Sequence, residues 1–400
     1  MSKRIDIYTK LFGLIIALMA LKFLFSYLNV ELGWWLRNLM PNYLKFNPLG
    51  LPKNTSEMIE FLLLPAMGTY LALSYRSLGV LRLPLLLIGI MLGLNLVTML
   101  TSEADFLGSI KYTLKIAAPI LFFCVLVVHY KRTDKDMEVL LKRALVFFSV
   151  LIVFALVFFN QSFNRGAYRL PVYFSGLHTH SYVLTICFVV LSYFLRKNIF
   201  VLISFFGLSF AFLTFGYGVR TIMVFYMLYI AVALYLRDDF IKNTYVRLIA
   251  LSPLLLLGLI PSLKGFDFDR FSSGRLTMYT KKFEILKDYS FTEYLFGRGR
   301  GADYVRTTEW WYDTKGSHND YLTFFVENGA IYLLVFLLLI VSLLFLVKRN
   351  HILFVVLIVG YLLTSAISNG FAVRALASYW LFAFLAFIYI KHLKGKFHFG

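Results

Sequence analysis

Charged residues are few in this chain. Asp, Glu, Lys and Arg make up 15% of its 400 residues, against about a quarter in soluble globular domains. Acid is scarcer still: 21 Asp and Glu stand beside 40 Lys and Arg, for a formal net charge of +19. Cysteine is almost missing, and Cys124 and Cys187 both fall inside apolar stretches. Neither a disulfide framework nor a zinc site is read from them. The sequence also lacks an internal repeat, a low-complexity tract and a soluble domain. What fills it is apolar: 60% hydrophobic residues, 18% aromatic, and a mean hydropathy of +0.75. The apolar residues come in blocks of about twenty, the length that crosses a bilayer core. The expectation is an all-α fold, a single polytopic membrane domain over residues 1–400.

Twelve spans are expected, at 11–29, 57–74, 83–100, 114–130, 144–160, 181–195, 199–215, 220–236, 248–263, 321–347, 352–369 and 376–391. The first is too long for a signal-peptide core and lacks a small-residue cleavage site. The basic excess lies between the spans, as orientation signals do, and this argues against a nucleic-acid partner. With the N-terminus in the cytoplasm, the inner segments hold twenty Lys and Arg and the short outer ones seven. That asymmetry places both termini in the cytoplasm and the long 264–320 loop outside.

Three outer segments stand out. Trp34 and Trp35 in 31–56 read as an interfacial cap, because indole rings settle at headgroup level. The 160–180 connection carries Arg165, Arg169, His178 and His180, although topology asks no positive charge of it. The long loop contains Leu276, Tyr279, Phe283 and Leu286 at helical spacing. This predicts an amphipathic helix flat on the outer leaflet, capped by Ser272 or Ser273, with Arg275 in its first turn.

Ionisable residues at or in the spans are costly and mark sites by default. Arg220 opens the eighth span after Gly216 and Gly218, and reads either as a site residue or as an arginine reaching headgroups. Lys22 reads as snorkelling or ion-paired; Lys115 and Glu60 read as interfacial; Arg374 lies on the last outer connection. The outer rim thus gathers Arg165, Arg169, Arg220, Arg275 and Arg374 with His178, His180 and His318, against the orientation bias. Planar guanidinium forks suit phosphate oxygens, and a histidine supplies a base or acid near neutral pH. The plainer alternatives are a capping His318, Asn319 or Asp320 as a helix N-cap, structural His178 and His180, and a turn at GRGRG, which lacks a flanking strand and helix.

These pieces together resemble the O-antigen polymerase and O-antigen ligase superfamily. They are GVRT at 218–221, SGRLTMYTKKFEIL at 273–286, LFGRGRG at 295–301 and SHNDYLTFFVENGAIY at 317–332. Arg220, Arg275 and His318-Asn319 match the family pattern in order, and Arg165 with Gly176 is similar to a spacing in polymerase loops. The resemblance covers about the second half of the chain. It implies an inverting, metal-independent glycosyltransferase of the bacterial inner membrane with no cofactor. Its donor is an undecaprenyl-diphosphate-linked oligosaccharide, and its partners are membrane lipid and a chain-length regulator protein. The polymerase reading is favoured, with transfer to another lipid-linked repeat unit; a ligase would use lipid A core. Arg220 and Arg275 would hold the diphosphate and His318 would act as base. Arg165, Arg169, His178, His180, Arg374 and Asn319 would touch substrate. A flippase is the rival, but it should show inverted repeats and broken helices, and the sequence displays neither.

Overall fold

Without water in the bilayer core, every main-chain polar group must be satisfied within the chain, and helices do this segment by segment. The computed structural model describes residues 2–28, 52, 55–102, 106–158, 162–164, 167–174, 176–236, 275–304, 316–347 and 351–395. The helices are α1 (Ser2–Leu28), α2 (Thr55–Leu73), α3 (Arg82–Thr101), α4 (Phe106–Thr133), α5 (Met137–Phe158), α6 (Leu177–Leu195), α7 (Ile199–Gly216) and α8 (Arg220–Tyr235). They continue with α9 (Arg275–Lys287), α10 (Phe291–Phe296), α11 (Asp320–Leu344), α12 (Ile352–Ile367) and α13 (Ala375–Leu393). One short antiparallel hairpin pairs β1 (Ser162–Asn164) with β2 (Ala167–Arg169). Among the described residues nine helices are long and apolar enough to cross a membrane. The shorter apolar helices α8 and α12 lie where the eighth and eleventh spans are expected. The chain is an all-α, multi-pass membrane protein. The expected ninth span at 248–263, the Trp34-Trp35 segment, Arg165, Ser272 and Ser273 lie outside the described residues.

The chain forms two compact units: Met1–Gly79, Ala118–Tyr226 and Leu376–Gly400 in the first, Val80–Ala117 and Met227–Ala375 in the second. In the first unit α13 is almost wholly buried and packs through aromatic edges on α4, with Phe122 5.7 Å from Tyr379. Lys22 and Glu60, on α1 and α2, form a buried ion pair, and the Tyr379 hydroxyl donates to the same carboxylate. Glu60 is therefore internal rather than interfacial, since a charge in an apolar setting persists when it is paired and hydrogen-bonded.

The second unit is built round a break. Helix α11 is interrupted at Gly329 (φ 82°, ψ 175°), a conformation open to glycine alone. Into this break fits the backbone of residues 295–299. The Arg298 amide donates to the Val326 carbonyl (3.1 Å) and the Gly299 amide to the Glu327 carbonyl (2.8 Å). A Cβ on Gly297 would overlap Glu327, and one on Gly329 would overlap the Leu295 carbonyl. Two glycines thus permit two main chains to touch. Thr98 of α3 donates to the Phe296 carbonyl (2.8 Å), and Asn95, Asn328, Thr113 and Tyr332 continue the polar seam.

The segment leading into the break is locally reinforced. Ser290 and Glu293 form a capping box on α10, and Arg298 donates to Glu293 at 2.6 Å while lying over the Tyr289 ring. The Arg298 hydrogen bond draws the Glu293 carboxyl down to about 2.

Two outcomes follow from this packing. Gly329→Ala lowers stability by about 3 kcal/mol or more, read from thermal melting of the purified chain. Gly93→Ala on α3, where a Cβ meets nothing within 4 Å, leaves it unchanged or slightly raised. For Glu293, the folded group titrates below its unfolded value of 4.5, so its contribution is complete above 4.5 and lost as pH falls toward about 2. Glu293→Gln should therefore melt earlier than the parent at neutral pH, with the difference vanishing on acidification.

Candidate functional site

Helix ends leave carbonyls without intrahelical partners, and cationic or amide groups gather there. The C-terminus of α12 is such an end. Arg275, the first residue of α9, donates to the Ile367 carbonyl and, at 3.3 Å, to Ser368 Oγ. Asn319 Nδ2 donates to the Ala366 carbonyl (2.8 Å), and the Tyr321 hydroxyl to Leu362 (2.7 Å). The connection after α12 is drawn in as well. Gly370 N donates to Asp320 Oδ2 (2.9 Å), and Arg374 Nε to the Asn369 carbonyl (2.8 Å). Tyr279 sits beside Asn319 and Arg275, and its burial raises its phenol above the usual value. Arg275, Asn319 and Arg374 therefore gather within the second unit around one helix end, with His318 adjoining.

His318 itself has φ of 51°, in the left-handed region that few residues other than glycine adopt. Its neighbours fix it there. On one side Asn319 is the N-cap of α11, accepting from Leu322 N (3.1 Å). On the other, buried Ser317 is clamped to Asp303: Oδ2 of that carboxylate accepts from Ser317 N (2.8 Å), Ser317 Oγ (3.1 Å) and Thr323 Oγ1 (2.9 Å). Asp303 also faces Lys282 of α9, Nζ to Oδ1 3.2 Å, both buried. Burial lowers the Lys282 ammonium below its ordinary value, and the adjacent Asp303 opposes that shift.

The same ion pair turns α9. Leu276, Tyr279, Phe283 and Leu286 were the expected apolar face, yet Met278, Lys282 and Leu286 are the buried residues, and Leu276 and Phe283 are exposed. A lysine is directed inward because its counter-ion waits there, and Leu286 packs with Tyr289 and Val326. The GRGRG run is a turn whose arginines are neutralised. Arg298 pairs with Glu293; Arg300 pairs with buried Glu327 and lies 3.9 Å from the Tyr112 ring.

The remaining expected site residues belong to the first unit. Leu170 N donates to the Gly216 carbonyl (3.1 Å), and the Tyr217 hydroxyl to the Pro171 carbonyl (3.2 Å). This lays the Arg169 guanidinium against Gly218, where a Cβ would come within 3.1 Å of it. Arg220, exposed, opens α8 two residues later. His178 is half-buried at the start of α6. His180 is wholly buried, its ring centroid 4.0 Å from that of Tyr173 and 4.6 Å from that of Tyr217.

Sequence reasoning gave no site role to Lys282, Asp303 and Glu327, and weighed Asp320 only as an N-cap. Asp320 and Glu327 stand in or at an apolar span, and the rule that singled out Arg220 applies to them equally. Among the described residues no group of three or more His, Cys, Asp and Glu gathers to hold a metal ion.

Asp303→Asn leaves the Lys282 ammonium buried without its counter-ion, and should lower stability by about 3–5 kcal/mol. Adding Lys282→Met to that variant should recover much of the loss in a double-mutant cycle, measured by thermal denaturation.

No family model, no curated protein and no solved structure matches this chain.

Proposed function

We propose that this chain is a surface-polysaccharide polymerase of the O-antigen polymerase type. It transfers an undecaprenyl-diphosphate-linked glycan to the terminal sugar of a second lipid-linked repeat unit. The observation that carries this reading is the meeting of Arg275, Asn319, Asp320 and Arg374 at the end of α12, with His318 adjoining. Two guanidinium forks and a carboxylate in one polar cluster of a membrane protein, next in sequence to a histidine, suit a lipid diphosphate and an attacking hydroxyl.

In this mechanism Arg275 binds the donor diphosphate. His318 accepts the proton of the attacking hydroxyl. The new bond forms at the anomeric carbon from the face opposite the diphosphate, and the anomeric carbon–oxygen bond to phosphate breaks. The configuration inverts, and Arg275 stabilises the charge on the departing undecaprenyl diphosphate. Arg374 and Asn319 position the donor or the acceptor. The location that accompanies this reading is the bacterial inner membrane with both termini cytoplasmic.

One feature favours a second reading, a flippase of lipid-linked oligosaccharide. Helix α11 is broken inside its apolar length at Gly329, and transporters build substrate sites from broken helices. Here, however, the Val326 and Glu327 carbonyls at the break are taken by the Arg298 and Gly299 amides. The break is thus occupied by the protein's own backbone, and polymerase remains the better reading.

Purified protein supplied with lipid-linked repeat unit decides among these. A ladder of products supports the polymerase; transfer to lipid A core alone means ligase; movement across liposomes without a new bond means flippase. Arg275→Lys and His318→Ala should each cut elongation at least a hundredfold, the usual scale of one electrostatic or acid–base contribution, at unchanged membrane protein level. A lysine still donates to the α12 carbonyls but not as a fork, so near-normal elongation by Arg275→Lys reduces Arg275 to a helix cap.

A further inference from the structure

We infer that the first unit carries a binding slot for one acyl chain of an anionic phospholipid, with Arg143 receiving the headgroup phosphate. This does not rest on the polymerase reading, because it uses neither the residues nor the unit that carry it.

The slot arises from where small and large side chains fall. Helices α1, α5 and α13 present Ala20, Ala144 and Ala383 toward one another and leave a cavity of about 300 Å³. That is the low end of ligand cavities, which run from roughly 300 to 1,000 Å³, and it suits a single chain rather than a whole lipid. Large rings close the deep end: Phe23 lies 4.9 Å from Phe148, and Phe148 lies 5.1 Å from Trp380. Ala20 and Arg143 are exposed at its rim, so the slot opens sideways on the lipid-facing surface.

Depth and charge identify the occupant. Near the start of α5, Asp136 and Glu138 pair with Lys391, and Glu138 also pairs with Lys142 (2.9 Å). This cluster marks the water boundary at that end of the helix. Along α5 the lining runs from Leu140 to Phe148, a rise of about 12 Å against about 15 Å for half of a hydrocarbon core. The slot therefore has most of the reach of one leaflet's chain. At its mouth Arg143 forms no hydrogen bond or ion pair among the described residues, whereas neighbouring Lys142 and Lys391 have carboxylate partners. An apolar slot beside an unneutralised guanidinium at the boundary complements a phosphodiester attached to an alkyl chain.

Trp380 lines the slot and serves as the reporter. The full chain with Trp34, Trp35, Trp310 and Trp311 changed to Phe is reconstituted in phosphatidylcholine vesicles. Increasing fractions of brominated-chain phosphatidylglycerol or brominated-chain phosphatidylcholine are then added. Phosphatidylglycerol should quench Trp380 at about fivefold lower mole fraction, the factor expected of one arginine facing an anionic lipid. Arg143→Gln, on an exposed position, should remove that preference while leaving quenching by either lipid. Ala144→Phe should fill the slot and abolish most quenching by both. Equal quenching by the two lipids in the parent protein overturns the headgroup assignment, and full quenching in Ala144→Phe overturns the slot.

Discussion

The contact between the backbones at Gly297 and Gly329 is the constraint on which the second unit depends. An α-helix in an apolar medium has no reason to open, because each lost main-chain bond is costly there. Helix α11 opens because another stretch of main chain supplies the missing partners, and it approaches closely only where both chains lack a side chain. Once residues 295–299 are seated, Arg300 meets Glu327, the Gly301 amide donates to the same carboxylate (2.9 Å), and Asp303 is carried to Ser317. The conformation of His318 is the far end of this chain of dependence.

Buried charge follows one rule in both units. Lys22 meets Glu60, Lys282 meets Asp303, and Arg300 meets Glu327. Such pairs add little net stability relative to apolar packing, but a lone partner is expensive, so they specify which segments must lie together. Arg275 and Arg374 donate to main-chain and hydroxyl oxygens, and Arg374 also lies within electrostatic reach of the Asp320 carboxylate.

Much of the membrane architecture could be read from the sequence because a bilayer imposes length on apolar runs independently of tertiary contacts. Helix α9 was also legible, and the N-cap was narrowed to Asn319 or Asp320, being set by local spacing and local chemistry; Asn319 is the one that caps. The face that α9 buries was not. Lys282 points inward on account of Asp303, 21 residues away, and no periodicity records that partner. The break at Gly329 was missed for the same reason: a glycine in an apolar run signals nothing until Gly297 is known to rest on it. Glu327 was the available clue, since an acid in a span demands a cation.

The sequence separation of these contacts has a consequence for biogenesis. Arg300 precedes its partner Glu327 by 27 residues, so the segment that fills the break has already been synthesised when α11 reaches the membrane. A span carrying an acid can thus enter with its counter-ion present. Asp320, by contrast, waits for Gly370, 50 residues later, and Arg275 for Ser368, 93 residues later. The vectorial order of synthesis therefore assembles the broken helix first and the arginine cluster last.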